Sequence, residues 1–203
     1  MATNWPTSRD TFTNPSSGDT LDSPSHAAQH ANINDAVEAM QLYAGLVLVK
    51  TQTIGTSVSS VTVTSAFSST FDNYRIVLSG GTASVNAAEL GFKLGSVTSG
   101  YYGSLPYWNH TGATGNVTTS GALNDYPAVT LVGTGNRTGV TIDVLDPNLA
   151  KATQGSATSH NNDLTCFGGF LENSANQHTA FTLIPSSGTL TGGTIRVYGY
   201  NNG

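Results

Sequence analysis

From Leu46 to the C-terminus, nine short segments rich in β-branched and aromatic residues follow one another without an intervening amphipathic helix. They are Leu46–Lys50, Ser60–Thr64, Tyr74–Ser79, Glu89–Leu94, Ala128–Val132, Gly139–Leu145, Cys166–Leu171, Ala180–Ile184 and Thr194–Tyr200. Several alternate strictly, as in Val61 and Val63, Val140, Ile142 and Val144, and Ile195 and Val197, the period of a strand with one wet face. Turn signals such as Gly80-Gly81, Asp146-Pro147 and Gly192-Gly193 separate them. So many strands with no crossover helix argue for antiparallel pairing. The pattern predicts a mainly β chain: a short N-terminal helix followed by a single antiparallel, jelly-roll-like β-sandwich over residues 45–203. Ser99–Gly121 and Ala150–Leu164 read as long loops of that sandwich.

Composition decides what covers the strands. Charged residues make up 9% of the chain against about a quarter normally, and hydrophobic residues 37%. Disorder pairs low apolar content with high net charge, but the net charge here is −5. Thr and Ser therefore replace Lys and Glu on the solvent faces. So charge-poor a surface favours coverage by other copies or partners. Residues 1–44 hold five acids (Asp10, Asp19, Asp22, Asp35 and Glu38) against Arg9, giving −4, and the remainder is nearly neutral. The seven basic residues are scattered singly, so no nucleic-acid partner is expected. Cys166 is the single cysteine, which excludes an intrachain disulfide. The opening Met-Ala-Thr-Asn-Trp-Pro has neither a charged nor an apolar leader region, predicting synthesis in a cytosol without a signal peptide. The apolar run around Ala44–Val49 is too short to span a bilayer, so no membrane insertion is expected.

The N-terminal quarter divides in two. Residues 1–22 mix Pro, Ser, Thr, Asn and Asp around isolated Trp5, Phe12 and Leu21, an extended arm that is either disordered or anchored in a partner's groove by those three side chains. Ser23-Pro24 then opens a helix, with Ser as N-cap and Pro at the first helical position. Over residues 23–44, His26, His30, Ile33, Val37, Met40 and Ala44 recur at alternating spacings of four and three, the seam of a short coiled coil. Ile33 at a d position leans towards three or more strands. The competing reading lays Ile33, Ala36, Val37 and Met40 on the β body. His26 and His30, at i and i+4, have the spacing that lets two imidazoles share a metal. No carboxylate or Cys completes such a site locally, so a polar layer setting the register is the first reading, and neither a metal nor a cofactor is expected.

Chemistry-bearing motifs are few. Tyr101, Tyr102, Tyr107, Trp108, Asn109 and His110 form the aromatic concentration of the chain. Such rings offer apolar faces to the C–H faces of sugars, with Asn and His for their hydroxyls; the alternative is packing in the core or at a neighbour interface. His160–Asp163 is a polar turn with too few acids for calcium. Three Asn-X-Thr triplets, at Asn109, Asn116 and Asn136, match the glycosylation pattern by chance in a chain this rich in Asn and Thr. There is no nucleophile elbow, phosphate loop, dinucleotide fingerprint or His-Glu-X-X-His, and no spacing selects a carboxylate pair. An enzyme is not expected.

The run from Asp22 through His26, His30, Asn34, Asp35 and Glu38 to Met40 resembles a segment near the start of tailed-bacteriophage tail-fibre and minor tail proteins. Phe71–Leu78, Ile184–Gly188 and Gly193–Gly199 are similar to strands of phage fibre-head and decoration β-sandwiches. The resemblance covers about a quarter of the chain, in patches, and the repetitive shaft of long fibres is missing. It implies a virion component on tail or capsid surface, commonly a homotrimer, attached to other virion proteins by its N-terminal arm. The expected task is that of a short tail fibre or tail-tip protein adhering to host-surface carbohydrate. Capsid decoration or a head fibre is the alternative, and a free lectin-like module the second.

Overall fold

The computed structural model describes residues 18, 20, 26–42, 45–110, 112–123, 125–135, 138–161 and 164–201. The chain divides into two units, Met1–Leu46 with Asn201–Gly203, and Val47–Tyr200. In the first, α1 (His26–Leu42) is a 17-residue helix. Ile33, Val37 and Met40 are exposed along it. The predicted cap Ser23-Pro24, the seam residue Ala44 and the arm residues Trp5, Phe12 and Leu21 lie outside the described residues. No helix among the described residues is long and apolar enough to cross a membrane.

The second unit is an antiparallel β-sandwich. Its strands are β1 (Leu46–Thr53), β2 (Val61–Val63), β3 (Asn73–Ser79), β4 (Thr82–Ala83), β5 (Ala88–Leu94), β6 (Tyr101–Asn109), β7 (Gly112–Leu123), β8 (Ala128–Val132), β9 (Gly139–Leu145), β10 (Thr153–Asn161), β11 (Leu164–Glu172), β12 (Phe181–Pro185), β13 (Leu190–Thr191) and β14 (Thr194–Tyr200). An eight-stranded sheet runs β1-β14-β3-β9-β10-β11-β6-β7, a four-stranded sheet runs β2-β12-β5-β8, and β13 pairs with β4. Set aside the short β4–β13 pair and the hairpins β6–β7 and β10–β11, and eight strands remain. Numbered along the chain, they run 1-8-3-6 in one sheet and 2-7-4-5 in the other, the jelly-roll order.

The two hairpins overturn one expectation. Ser99–Gly121 and Ala150–Leu164 are largely strand, not loop: β6 with most of β7, and β10. They extend the larger sheet beyond β9, with β10 pairing β9 and β11, and β11 pairing β6. Their sequences conceal the period because their core-facing positions are small or polar. In β10 the buried positions include Thr153, Ala157, Ser159 and Asn161. In β6, Pro106 sits where the pairing with β7 shifts register, the kind of irregularity where a strand tolerates a residue without an N–H.

Alternation builds the main core. Tyr74, Ile76 and Leu78 of β3, Val140, Ile142 and Val144 of β9, and Ile195 and Val197 of β14 are all buried from the larger sheet. Leu90, Phe92 and Leu94 of β5, and Phe181 and Leu183 of β12, meet them from the smaller one. Phe92 bridges the layers, its ring centroid 5.1 Å from Phe181 and 5.3 Å from Phe170 of β11. A second, smaller core of Leu105, Ala128, Leu131 and Cys166, with Tyr107 and Leu164 against it, ties the hairpins to β8. Beside it, the Thr130 and Ser159 hydroxyls bond at 2.6 Å, and the Asn161 amide donates to Thr130 Oγ1 at 2.7 Å and to the Leu131 carbonyl. Asn161 Oδ1 accepts from the Gly139 N–H at 3.0 Å, so this buried amide is satisfied. Glu172, fully buried, holds His178 Nε2 at 3.1 Å and accepts from the Ser174 N–H at 2.9 Å. The Gly80-Gly81 and Gly192-Gly193 turns all have positive φ (75°, 89°, 69° and 94°), a region that L side chains rarely adopt.

Candidate functional site

The aromatic concentration does not form one platform, because the pleat of β6 divides it. Tyr101 is fully buried and corrects the expectation of a surface contact. Its hydroxyl accepts from the Leu94 N–H at 2.9 Å, and burial pushes its pKa up to about 12. Tyr107 is half-buried and packs on the smaller core. Tyr102 and Trp108 are exposed, and they pair in register with Leu171 and Thr165 of β11, so cross-strand side chains share their face.

On that outer face a compact patch forms around Trp108. The indole is 46% exposed, as is Phe167 of β11, and their ring centroids lie 5.8 Å apart at an interplanar angle of 73°. This edge-to-face arrangement is favourable for aromatic pairs and holds both rings in place. Gly115 of β7, opposite Trp108 in the ladder, makes room for the indole: a Cβ there would come within 2.7 Å of its Nε1. Thr165, directly across from Trp108, carries the polar side of the patch. Its hydroxyl bonds His110 Nε2 at 2.6 Å and His160 Nδ1 at 2.9 Å, with the two imidazoles 6.4 Å apart. One hydroxyl between two rings orients both. Each imidazole then presents its other nitrogen for a further hydrogen bond.

Phe167 and Thr165 escaped the sequence reading. Phe167 lies in a correctly predicted strand, where it neighbours the buried Cys166 and so points outward. Only the pairing of β11 with β6 brings it to Trp108.

Tyr107 and Asn109 belong to a different feature, a concavity of about 340 Å³ beside β5, β8 and the ends of β6 and β11. Leu131, Val132, Leu164 and Tyr107 make its apolar wall, and Asn86, Glu89 and Asn109 contribute polar groups. Ala87, at its rim, has φ 58°, an unfavourable conformation for a residue with a Cβ. The volume lies at the small end of ligand pockets, about 300–1,000 Å³. The described site residues hold no group of three or more His, Cys, Asp or Glu suited to a metal ion.

No protein-family model and no curated protein matches the chain. A solved structure of a protein of unknown function from Shewanella oneidensis MR-1 is similar over 78% of this chain and 77% of that one, at 7% identity and a TM-score of 0.23.

Proposed function

We propose that this chain is a non-enzymatic structural component of a tailed-phage virion, whose β domain adheres to host-surface glycan through the outer face of the two added hairpins. The observation that carries this reading is the exposed Trp108–Phe167 pair next to the hydrogen-bonded His110–Thr165–His160 group. A pyranose presents an apolar C–H face and a rim of hydroxyls. Two exposed rings supply area for the first at little entropic cost, since they are already packed on each other. Two oriented imidazoles supply partners for the second. Trp108, Phe167, Thr165 and His160 sit on paired strands and His110 directly follows β6, which positions a contact better than a free loop. The likeness of the helical segment to tail-fibre starts supports the virion setting, with the arm as its attachment and α1 as the stem of a homotrimer.

Glycan-array binding of the full-length protein tests the adhesive face. Trp108→Ala should reduce binding about tenfold or more, because it removes the larger of the two paired rings from the contact centre. Glu89→Gln, in the separate concavity, should leave binding intact. If Trp108→Ala binds as well as the parent, the patch is not the contact surface. Binding of no sugar at all, with copies imaged on the capsid shell, would favour decoration over adhesion.

A further inference from the structure

We propose that His26 and His30 form a bidentate site for a borderline divalent transition-metal ion of the Zn²⁺ class on the first turns of α1. The two residues stand one turn apart on one helix face, and both are exposed. Their Nε2 atoms converge to 3.1 Å, with ring centroids 4.5 Å apart at an interplanar angle of 83°. Two Zn–N bonds of about 2.05 Å drawn to points 3.1 Å apart subtend about 98° at the metal, between the octahedral and tetrahedral values. The separation of the two nitrogens therefore lets one ion reach both, once the rings turn from each other towards it.

Chemistry favours the ion over the bare pair. Without metal, one imidazole donates its Nε2–H to the other, an exposed hydrogen bond that water contests and that restrains two side chains for a small return. With metal, each ring carries its proton on Nδ1 and offers an Nε2 lone pair, the form in which imidazole binds Zn²⁺, Ni²⁺ and Cu²⁺. The chelate also links residues i and i+4 at the start of the helix, where forming the first turn is the costly step. Metal binding and helix formation are thereby coupled. Among the described residues no third His, Cys, Asp or Glu joins the pair, so these residues supply two ligands and leave the other positions open to water. In a bundle of identical helices, which rests on the trimer reading above, the same pair from other copies would replace that water.

Calorimetric titration of the full-length, metal-free protein with Zn²⁺ at about pH 7.5, where imidazole is largely neutral, tests the site. His26→Ala and His30→Ala should each weaken binding by at least about tenfold, a loss seen even for supporting partners of metal ligands. The double variant of His110 and His160, each changed to Ala, should bind as the parent does. Zn²⁺ should raise the far-ultraviolet helix signal of the parent and leave both single variants unmoved. Affinity unchanged in either single variant, or lost instead with His110 and His160, overturns the site. One ion per chain on a species that light scattering finds monomeric upholds the site and rejects only the bundle.

Discussion

Asp143 takes Nε and Nη2 of Arg75 at 2.8 Å each and the Tyr200 hydroxyl at 2.7 Å, a three-strand cluster across β14, β3 and β9. The guanidinium lies 5.5 Å from the Tyr200 ring centroid. Hydrogen bonding from Arg75 is the main cause that holds the Asp143 carboxyl below the usual carboxylate range, with Tyr200 adding to it. A folded pKa below the unfolded one stabilises fully above the unfolded value, about 3.9, and the contribution is lost as pH falls through the folded value. Both partners are about one-third exposed, so screening reduces the gain to roughly 1 kcal/mol. Asp143→Asn should therefore lower unfolding free energy by about that amount at pH 7, and the gap to the parent should narrow below about pH 4. Denaturant unfolding at pH 7 and pH 3 measures both, and an equal gap at the two values would refute the linkage. The cluster was invisible in the sequence because its members are 68 and 57 residues apart.

At the scale of elements, the hairpins β6–β7 and β10–β11 carry every residue of the Trp108 patch. Their attachment to the jelly roll rests on the smaller core, in which Leu105 and Cys166 are fully buried. Leu105→Ala should destabilise by about 2–5 kcal/mol, the range for deleting a buried Leu. The loss should be local: amide exchange should speed up in β6 and β11 more than in β3, β9 and β14, which share the main core. Uniform acceleration across the sandwich would instead mean that the two cores unfold together. Strands with clear alternation, such as β3, β9 and β14, were legible because large apolar residues mark their buried faces. β7 and β10, built from Gly, Ser, Thr and Asn, carry no such mark, and their strand state comes from pairing with neighbours.

At the scale of the whole molecule, a charge-poor sandwich and a helix with Ile33, Val37 and Met40 exposed at 52%, 41% and 57% both fit assembly with other copies. Light scattering of the full-length protein should report three chains of 21.0 kDa, about 63 kDa. Ile33→Asp with Val37→Asp should reduce that to a single chain, since charges in the seam of a three-stranded bundle face one another without partners. A parent that is monomeric at high concentration sinks the stem, and with it the picture of several heads on one stalk. The Trp108 patch would survive that result, because its geometry is complete within one chain.

Strand alternation and turn residues by themselves determined the mainly β class, the jelly-roll-like sandwich and the nine strands of the reading, since a period of two with large apolar side chains admits few other structures. The spacing of His26 and His30 likewise followed from helix geometry alone. Packing in the folded chain sorts the aromatics into surface and core. Tyr101 and Tyr102 are neighbours of one residue type, and the pleat of β6 sends one inside and the other out. It also brought Phe167 and Thr165 to Trp108, because the partner of a strand is chosen by packing and register across the sheet, which neighbours along the chain do not encode.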